Sequence, residues 1–444
     1  MRLRRDWPGP VPPVRRRELV AWALYDFANS GYTTVVITAV FNAYFVAVVA
    51  GNAAWATLAW TATLSASYAL IVVGGPLLGA WADLRARKRE LLAATTVACV
   101  LGTGALAACG PGDLALAVAL VVLSNLAFSA GENLIASFLP ELARPEAMGR
   151  LSGYGWAVGY LGGLLVLALC LAWIQSAPER GSDTAAAVRG SMVITAAVFA
   201  LAALPTLLLL RERAEPQASP WGVAGLAWRR VRGALSGSDG LLDLRRLLAC
   251  IVCYQAGVGT VIAIAAIYTQ QALGFGTEES IRLILVVKLT AAVGAFGFGR
   301  FQDRLGHRRT LALTLVAWLL ALAVLWGGSS RASVCIAANL AGISLGASQS
   351  AGRALVGYLC PRQREAEVFG LWGLAVKLAM ILGPLGYGLV SWATGGDHRT
   401  AMLATALYFV AGLLVLAGVD VPRGRRAALA ASPTGTPEGI GRSA

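Results

Sequence analysis

The sequence predicts an all-α membrane protein, with twelve transmembrane helices in two pseudo-symmetric six-helix halves. Three observations carry that expectation. Hydrophobic residues make up 57% of the 444 residues and charged residues only 14%. So few charges cannot cover the surface of a water-soluble chain, which excludes a cytosolic globular protein, a disordered chain and a coiled coil. Apolar stretches of bilayer-crossing length recur along the whole chain. Two patterns in the first half return in the second at a nearly constant offset.

The spans fall at 19–50, 55–82, 90–109, 113–138, 151–174 and 190–210, then at 247–273, 280–302, 310–327, 332–356, 366–393 and 401–419. This gives an N-terminal segment 1–18, a six-helix bundle 19–210, a linker 211–246, a second bundle 247–419 and a tail 420–444. The first span is too long for a signal-peptide core, and no small-residue cleavage site ends it. Trp221 and Trp228 suggest that part of the linker lies on the membrane surface.

The arginines orient the bundle. The net charge is +14, and only Lys88, Lys288 and Lys377 of the 37 basic residues are lysines. With the N-terminus in the cytoplasm, 29 basic residues fall in cytoplasmic segments, 5 lie outside and 3 lie within spans. That asymmetry places both termini in the cytoplasm. The basic residues form no aromatic-interleaved stripe, so the charge reads as topogenic arginine facing anionic lipid, not as nucleic-acid binding. The arginine skew, with abundant Ala, Gly and Leu, is that of a GC-rich genome, and a bacterial cytoplasmic membrane is expected. Seven cysteines, mostly inside apolar runs, argue against a disulfide framework. Cys250 and Cys253 spell CxxC, but they lie in an apolar helix with no second pair to complete a zinc site.

The repeat is legible in two places. Gly79-Ala-Trp-Ala-Asp83-Leu-Arg85-Ala-Arg87-Lys88-Arg89 follows the second span, and Gly299-Arg-Phe-Gln-Asp303-Arg304-Leu-Gly306-His-Arg308-Arg309 follows the eighth, 220 residues on. Ser129-Ala-Gly-Glu132-Asn-Leu134 returns as Ser350-Ala-Gly-Arg353-Ala-Leu355, 221 residues on. Six spans per half give the two copies the same orientation.

The paired loops after spans two and eight resemble those of the major facilitator superfamily, although Leu84 and Ala86 stand where Arg and Gly are common. Trp22-Ala-Leu-Tyr25-Asp26-Phe-Ala-Asn29-Ser30 resembles the opening of the autophagy-related vacuolar amino-acid effluxer family and its bacterial relatives. So do Tyr254-Gln-Ala-Gly257-Val-Gly-Thr260, Arg364-Glu-Ala-Glu367-Val-Phe-Gly370, and Lys377 with Leu382-Gly-Pro384. Gln255 and Ala256 replace an Asn-Asp pair frequent in that family. The resemblance implies a twelve-helix rocker-switch carrier whose first, fourth, seventh and tenth helices line a central cavity, and amino-acid export.

Five ionisable residues fall within spans: Asp26, Glu132, Lys288, Arg353 and Lys377. Each costs about 2.5–3.5 kcal/mol at a helix centre on insertion scales, so they are expected to pair or to line a wet passage. Asp26 shares a helix face with Asn29 and Ser30, a polar site for a substrate ammonium or a coupling proton; the alternative is an acid bonded to a neighbouring helix. Glu132 and Arg353 occupy equivalent repeat positions and are expected to face each other, as a gate or as a static ion pair. Lys288 and Lys377 suit a substrate carboxylate. Asp83, Arg87, Asp303, Arg304 and Arg308 are expected to form cytoplasmic gate loops, or else to act as topogenic charge.

The chain carries no G-x-x-x-x-G-K-[ST] phosphate loop and no zinc-protease helix. No enzyme activity, cofactor or metal is expected. The reading is a secondary transporter of a small polar solute, an amino acid before others, exported by alternating access and coupled to protons, and monomeric. Export of a drug, sugar or peptide on the same fold stays open, as does a non-transporting sensor or partner platform.

Overall fold

The computed structural model describes residues 14–217, 222–237, 239–267, 277–328 and 330–432. The segment 1–13, Trp221 and the tail residues 433–444 lie outside them, as does the end of the expected seventh span. Among the described residues there are twelve helices long and apolar enough to cross a bilayer. They are α1 Arg16–Val49, α2 Ala56–Arg85, α3 Lys88–Ala108, α4 Leu114–Leu142, α5 Pro145–Gln175, α6 Thr184–Leu209, α7 Leu242–Ala263, α8 Arg282–Leu305, α9 His307–Gly327, α10 Arg331–Tyr358, α11 Glu365–Ala393 and α12 His398–Ala417.

Local chemistry explains where the helices change course. In α1 the β-branched run Thr33–Thr38 widens into a π-type turn. Thr33 Oγ1 donates to the Asn29 and Ser30 carbonyls, and Thr38 Oγ1 donates to the Thr33 carbonyl at 2.9 Å, drawing the ladder away from regular α geometry. Asp183 and Asp397 cap α6 and α12 with their carboxylates.

Each half has its own core. Trp22, Tyr32, Phe41, Phe45 and Phe138 lie at the centre of one. Tyr254, Trp318, Phe369 and Phe409 lie at the centre of the other, with Trp318 stacked on Phe409 at 5.2 Å between ring centres. Outside them, leucines such as Leu58, Leu201 and Leu414 are exposed, as a lipid-facing surface requires.

Two long interfaces join the halves, α2 against α11 and α5 against α8. Glycine makes both approaches possible. A Cβ on Gly153 would lie 2.5 Å from the Ala295 carbonyl oxygen, and one on Gly79 would collide with the Ala366 carbonyl. Backbones this close leave no room for any side chain.

The linker departs from a simple loop. Gly222–Ser236 is a helix whose Ala227 and Val231 pack on Ala80 and Leu84 of α2, while Trp228 is exposed. The last turn of the expected linker belongs to α7, which begins at Leu242. The start of the tail is also helical, Val421–Ala430, tied to α7 by Arg423 bonding Asp243 at 2.7 and 2.8 Å.

Candidate functional site

The arginine-rich ends of the helices are locked together by two aspartates at equivalent repeat positions. Asp83, at the end of α2, accepts from the Ala366 and Glu367 amides at 3.0 and 2.8 Å, which open α11. Asp303, near the end of α8, accepts from the Gly149 and Arg150 amides at 2.9 and 3.1 Å, in the first turn of the α5 helix proper. Each half thus places a carboxylate on a helix N-terminus of the other, where free amides and the helix dipole favour it. The arginines expected beside them do not take part. Among the described residues Arg87 forms an ion pair only with Glu90, exposed to solvent, and Arg304 and Arg308 are exposed with none.

The residue that completes the lock is Lys88, read from sequence only as topogenic charge. It is fully buried, bonds Glu141, and lies 3.6 Å from Glu365 and 3.8 Å from Asp83. Its rarity as one of three lysines was the signal that could have found it. Around this centre Arg364 holds Glu367 at 2.5 Å, and Asp239 of the linker at 3.4 Å. Glu212 of the linker caps α3, accepting from the Lys88 and Arg89 amides at 2.9 and 3.0 Å. Burial raises the Glu212 carboxyl above the usual carboxylate range, against the pull of those two amides.

Deeper in the bundle, Arg353 of α10 meets Asp26 of α1 at 2.8 Å. Its guanidinium also donates to the Ser152 hydroxyl at 3.1 Å and the Ser152 carbonyl at 2.9 Å, and lies over the Trp22 and Trp156 rings. Glu132 of α4 pairs instead with Lys377 of α11 at 3.2 Å. The expected Glu132–Arg353 pair is therefore replaced by two other cross-half pairs. The reason is packing: α4 lies along α11, and α10 lies along α5. Repeat-equivalent positions are related by the pseudo-twofold axis and need not touch.

Asp26 and Ser30 both face α5, over Gly155 and Gly159, where a Cβ on Gly159 would lie 2.9 Å from Ser30 Oγ. Asn29 is buried, and its Oδ1 has no hydrogen-bond partner among the described residues. Lys288 of α8 reaches Thr34 of α1 at 3.3 Å and has no carboxylate within 4 Å among the described residues. Between described residues, every hydrogen bond or ion pair joining the two halves lies between the arginine-rich ends and the level of Thr34, near the middle of α1, and Lys288, in the first half of α8. The structure is thus closed at the arginine-rich end.

Residues 44–429 match the family described as "Vacuole effluxer Atg22 like". The chain belongs to this family. The uncharacterized MFS-type transporter YxiO of Bacillus subtilis is 26% identical over 404 residues, covering 90% of this chain and 94% of that protein. Autophagy-related protein 22-1 of Aspergillus fumigatus is 23% identical over 316 residues, covering 65% of this chain. The chain spans about half the length of that fungal relative, 51%. Among solved structures, FucP in its outward conformation superposes with a TM-score of 0.71 at 14% identity, covering 91% of this chain and 98% of that one. The human organic anion transporter MFSD10 gives 0.69 at 15%, covering 91% and 100%. These likenesses show the major facilitator fold. This Atg22-like chain is a multi-pass membrane transporter, not an enzyme.

Proposed function

We propose that the chain exports a small zwitterionic solute, an amino acid, across a bacterial cytoplasmic membrane by alternating access coupled to protons. The carrying observation is the set of ionisable side chains between the halves: Asp26–Arg353, Glu132–Lys377, and Lys288, which has no carboxylate within 4 Å among the described residues. A positive group without an acid suits the carboxylate end of a solute. Two ion pairs that straddle the halves must separate when one half rocks over the other.

Asp26 is the coupling carboxylate in this reading. A proton on it removes the charge that holds Arg353, and the α1–α10 contact then loses its charge-assisted bond. Lys288, with Thr34, receives the solute carboxylate. The arginine-rich end is the cytoplasmic side, so the state described is sealed toward the cytoplasm by the Asp83, Asp303 and Lys88 lock. The full-length bacterial relative supports the bacterial membrane, and the family's description as an effluxer supports the direction.

Counterflow of radiolabelled amino acids in proteoliposomes, with and without a pH gradient, tests the reading. Saturable exchange that is accelerated by an imposed gradient and lost in Asp26→Asn is the expected result. No exchange of any amino acid by folded protein removes the proposal.

A further inference from the structure

The two central ion pairs are built differently, and the difference identifies a subsite. Arg353 is held by Asp26, by both oxygens of Ser152 and by two indole faces. Among the described residues Lys377 makes one hydrogen bond, to Glu132 at 3.2 Å, although an ammonium has three donors. It also lies over two aromatic rings. The Nζ lies 5.4 Å from the centre of the Tyr68 ring and 5.5 Å from that of Phe128, within the reach of cation–π attraction.

Phe128 and Glu132 are one turn apart on α4, and Tyr68 comes from α2. A carboxylate and two ring faces around a primary ammonium make an amine receptor. All three of these groups belong to the N-terminal half, while the occupant comes from the C-terminal half. When the halves separate, Lys377 leaves and the receptor stays. The Glu132 side chain is 25% exposed against 9% for Lys377, so the carboxylate keeps a side that a solute can approach. The Ser129 hydroxyl and both Asn133 amide atoms, on the same stretch of α4, are buried without a hydrogen-bond partner among the described residues. A lysine here, in a chain that otherwise uses arginine almost throughout, supplies a compact ammonium of the same shape as the end of a primary amine.

We propose that Glu132, Tyr68 and Phe128 form the amine subsite of the transport site, that Lys377 occupies it in this state, and that a primary ammonium on the solute displaces Lys377 on loading. This rests on the zwitterion-carrier reading, and adds where the amine end binds and what it displaces. Loading exchanges one ammonium for another, so Glu132 keeps a counter-charge in the loaded state.

The test uses purified full-length protein and methylammonium chloride, with sodium chloride at equal ionic strength as reference. A ligand bound only by the folded form raises the apparent Tm. In Lys377→Met the subsite is vacated, and methylammonium gives a saturable rise in Tm at a concentration about tenfold or more below any wild-type response. Adding Glu132→Gln abolishes the rise. An unchanged response in Lys377→Met, or one that survives Glu132→Gln, overturns the proposal. If Lys377→Met does not fold, Lys377→Ala, which also removes the ammonium from Glu132, carries the same comparison. The binding readout needs no flux: an amine response without amino-acid counterflow upholds the subsite and removes the carrier reading, and the converse result removes the subsite alone.

Discussion

Asp26 and Arg353 illustrate how much one buried charge depends on its partner. Both are nearly inaccessible, and with Asp26 neutral the guanidinium would keep the Ser152 oxygens and the two indole faces but no counter-charge. Removing one member of a buried pair costs about 3–5 kcal/mol, because the other is left uncompensated. Asp26→Asn is therefore expected to lower thermal stability by several degrees, with Asp26→Asn/Arg353→Met recovering most of the loss while remaining inactive. A double variant no more stable than Asp26→Asn would contradict this account of the pair. Lys288 predicts the opposite pattern. It forms no ion pair among the described residues, so Lys288→Met holds or raises stability. A bond to a charged group is worth about 1.5–3 kcal/mol, so apparent KM for a carboxylate solute rises about tenfold or more. Counterflow kinetics beside a melting curve separate the two effects.

Among the elements, the α5–α8 contact is one of the two that hold the arginine-rich end closed. Its spacing is set by Gly153 against Ala295, with Gly299 opposite, and by Asp303 on the α5 amides. Gly153→Val forces the helices apart without touching any ionisable group. Spin labels at Arg85 and Arg304 are expected to report a longer mean distance in Gly153→Val than in the unsubstituted chain. An unchanged distance distribution would mean that the glycines do not set the equilibrium. The linker adds a pH dependence of known sign. Glu212 is half-buried, and the loss of water around its carboxyl makes it hold its proton to higher pH in the folded chain than in the unfolded one. In the window between the two values the folded chain binds more protons, so stability falls as pH rises. Glu212→Gln is expected to flatten that slope in thermal melts between mildly acidic and neutral pH.

At the scale of the whole molecule, the excess of arginine at the locked end predicts that this end faces the cytoplasm. Arg399 lies at the opposite end from Arg304. In a Cys335→Ser background, Arg399→Cys is expected to react with a membrane-impermeant thiol reagent in intact cells, and Arg304→Cys only after permeabilisation. The reverse pattern would invert the assignment of the closed side and, with it, the direction of export. The same lock shows that the two halves depend on each other. Asp83 serves α11 and Asp303 serves α5, so weakening either one loosens a contact between halves, not within one.

The sequence by itself determined the number of spans, the duplication and the rarity of charge inside the bundle. Lipid imposes those features locally: each helix must satisfy its own backbone and present apolar side chains, and a repeat of six such helices is visible as a fixed offset. It also singled out Asp26, Glu132, Lys288, Arg353 and Lys377, because ionised groups in apolar runs are conspicuous. It could not pair them. Asp26 meets Arg353 from 327 residues away and Glu132 meets Lys377 from 245 away. Those pairs follow from which helices lie side by side after the halves pack, and repeat equivalence pointed to the wrong partners. Nor did it find Lys88 at the centre of the lock, since a lysine in a basic loop looks solvated until Glu141 and Glu365 are folded over it. Composition records what lipid forbids along one helix, whereas the meeting of charges is decided by packing between helices, and that exists only in the assembled bundle.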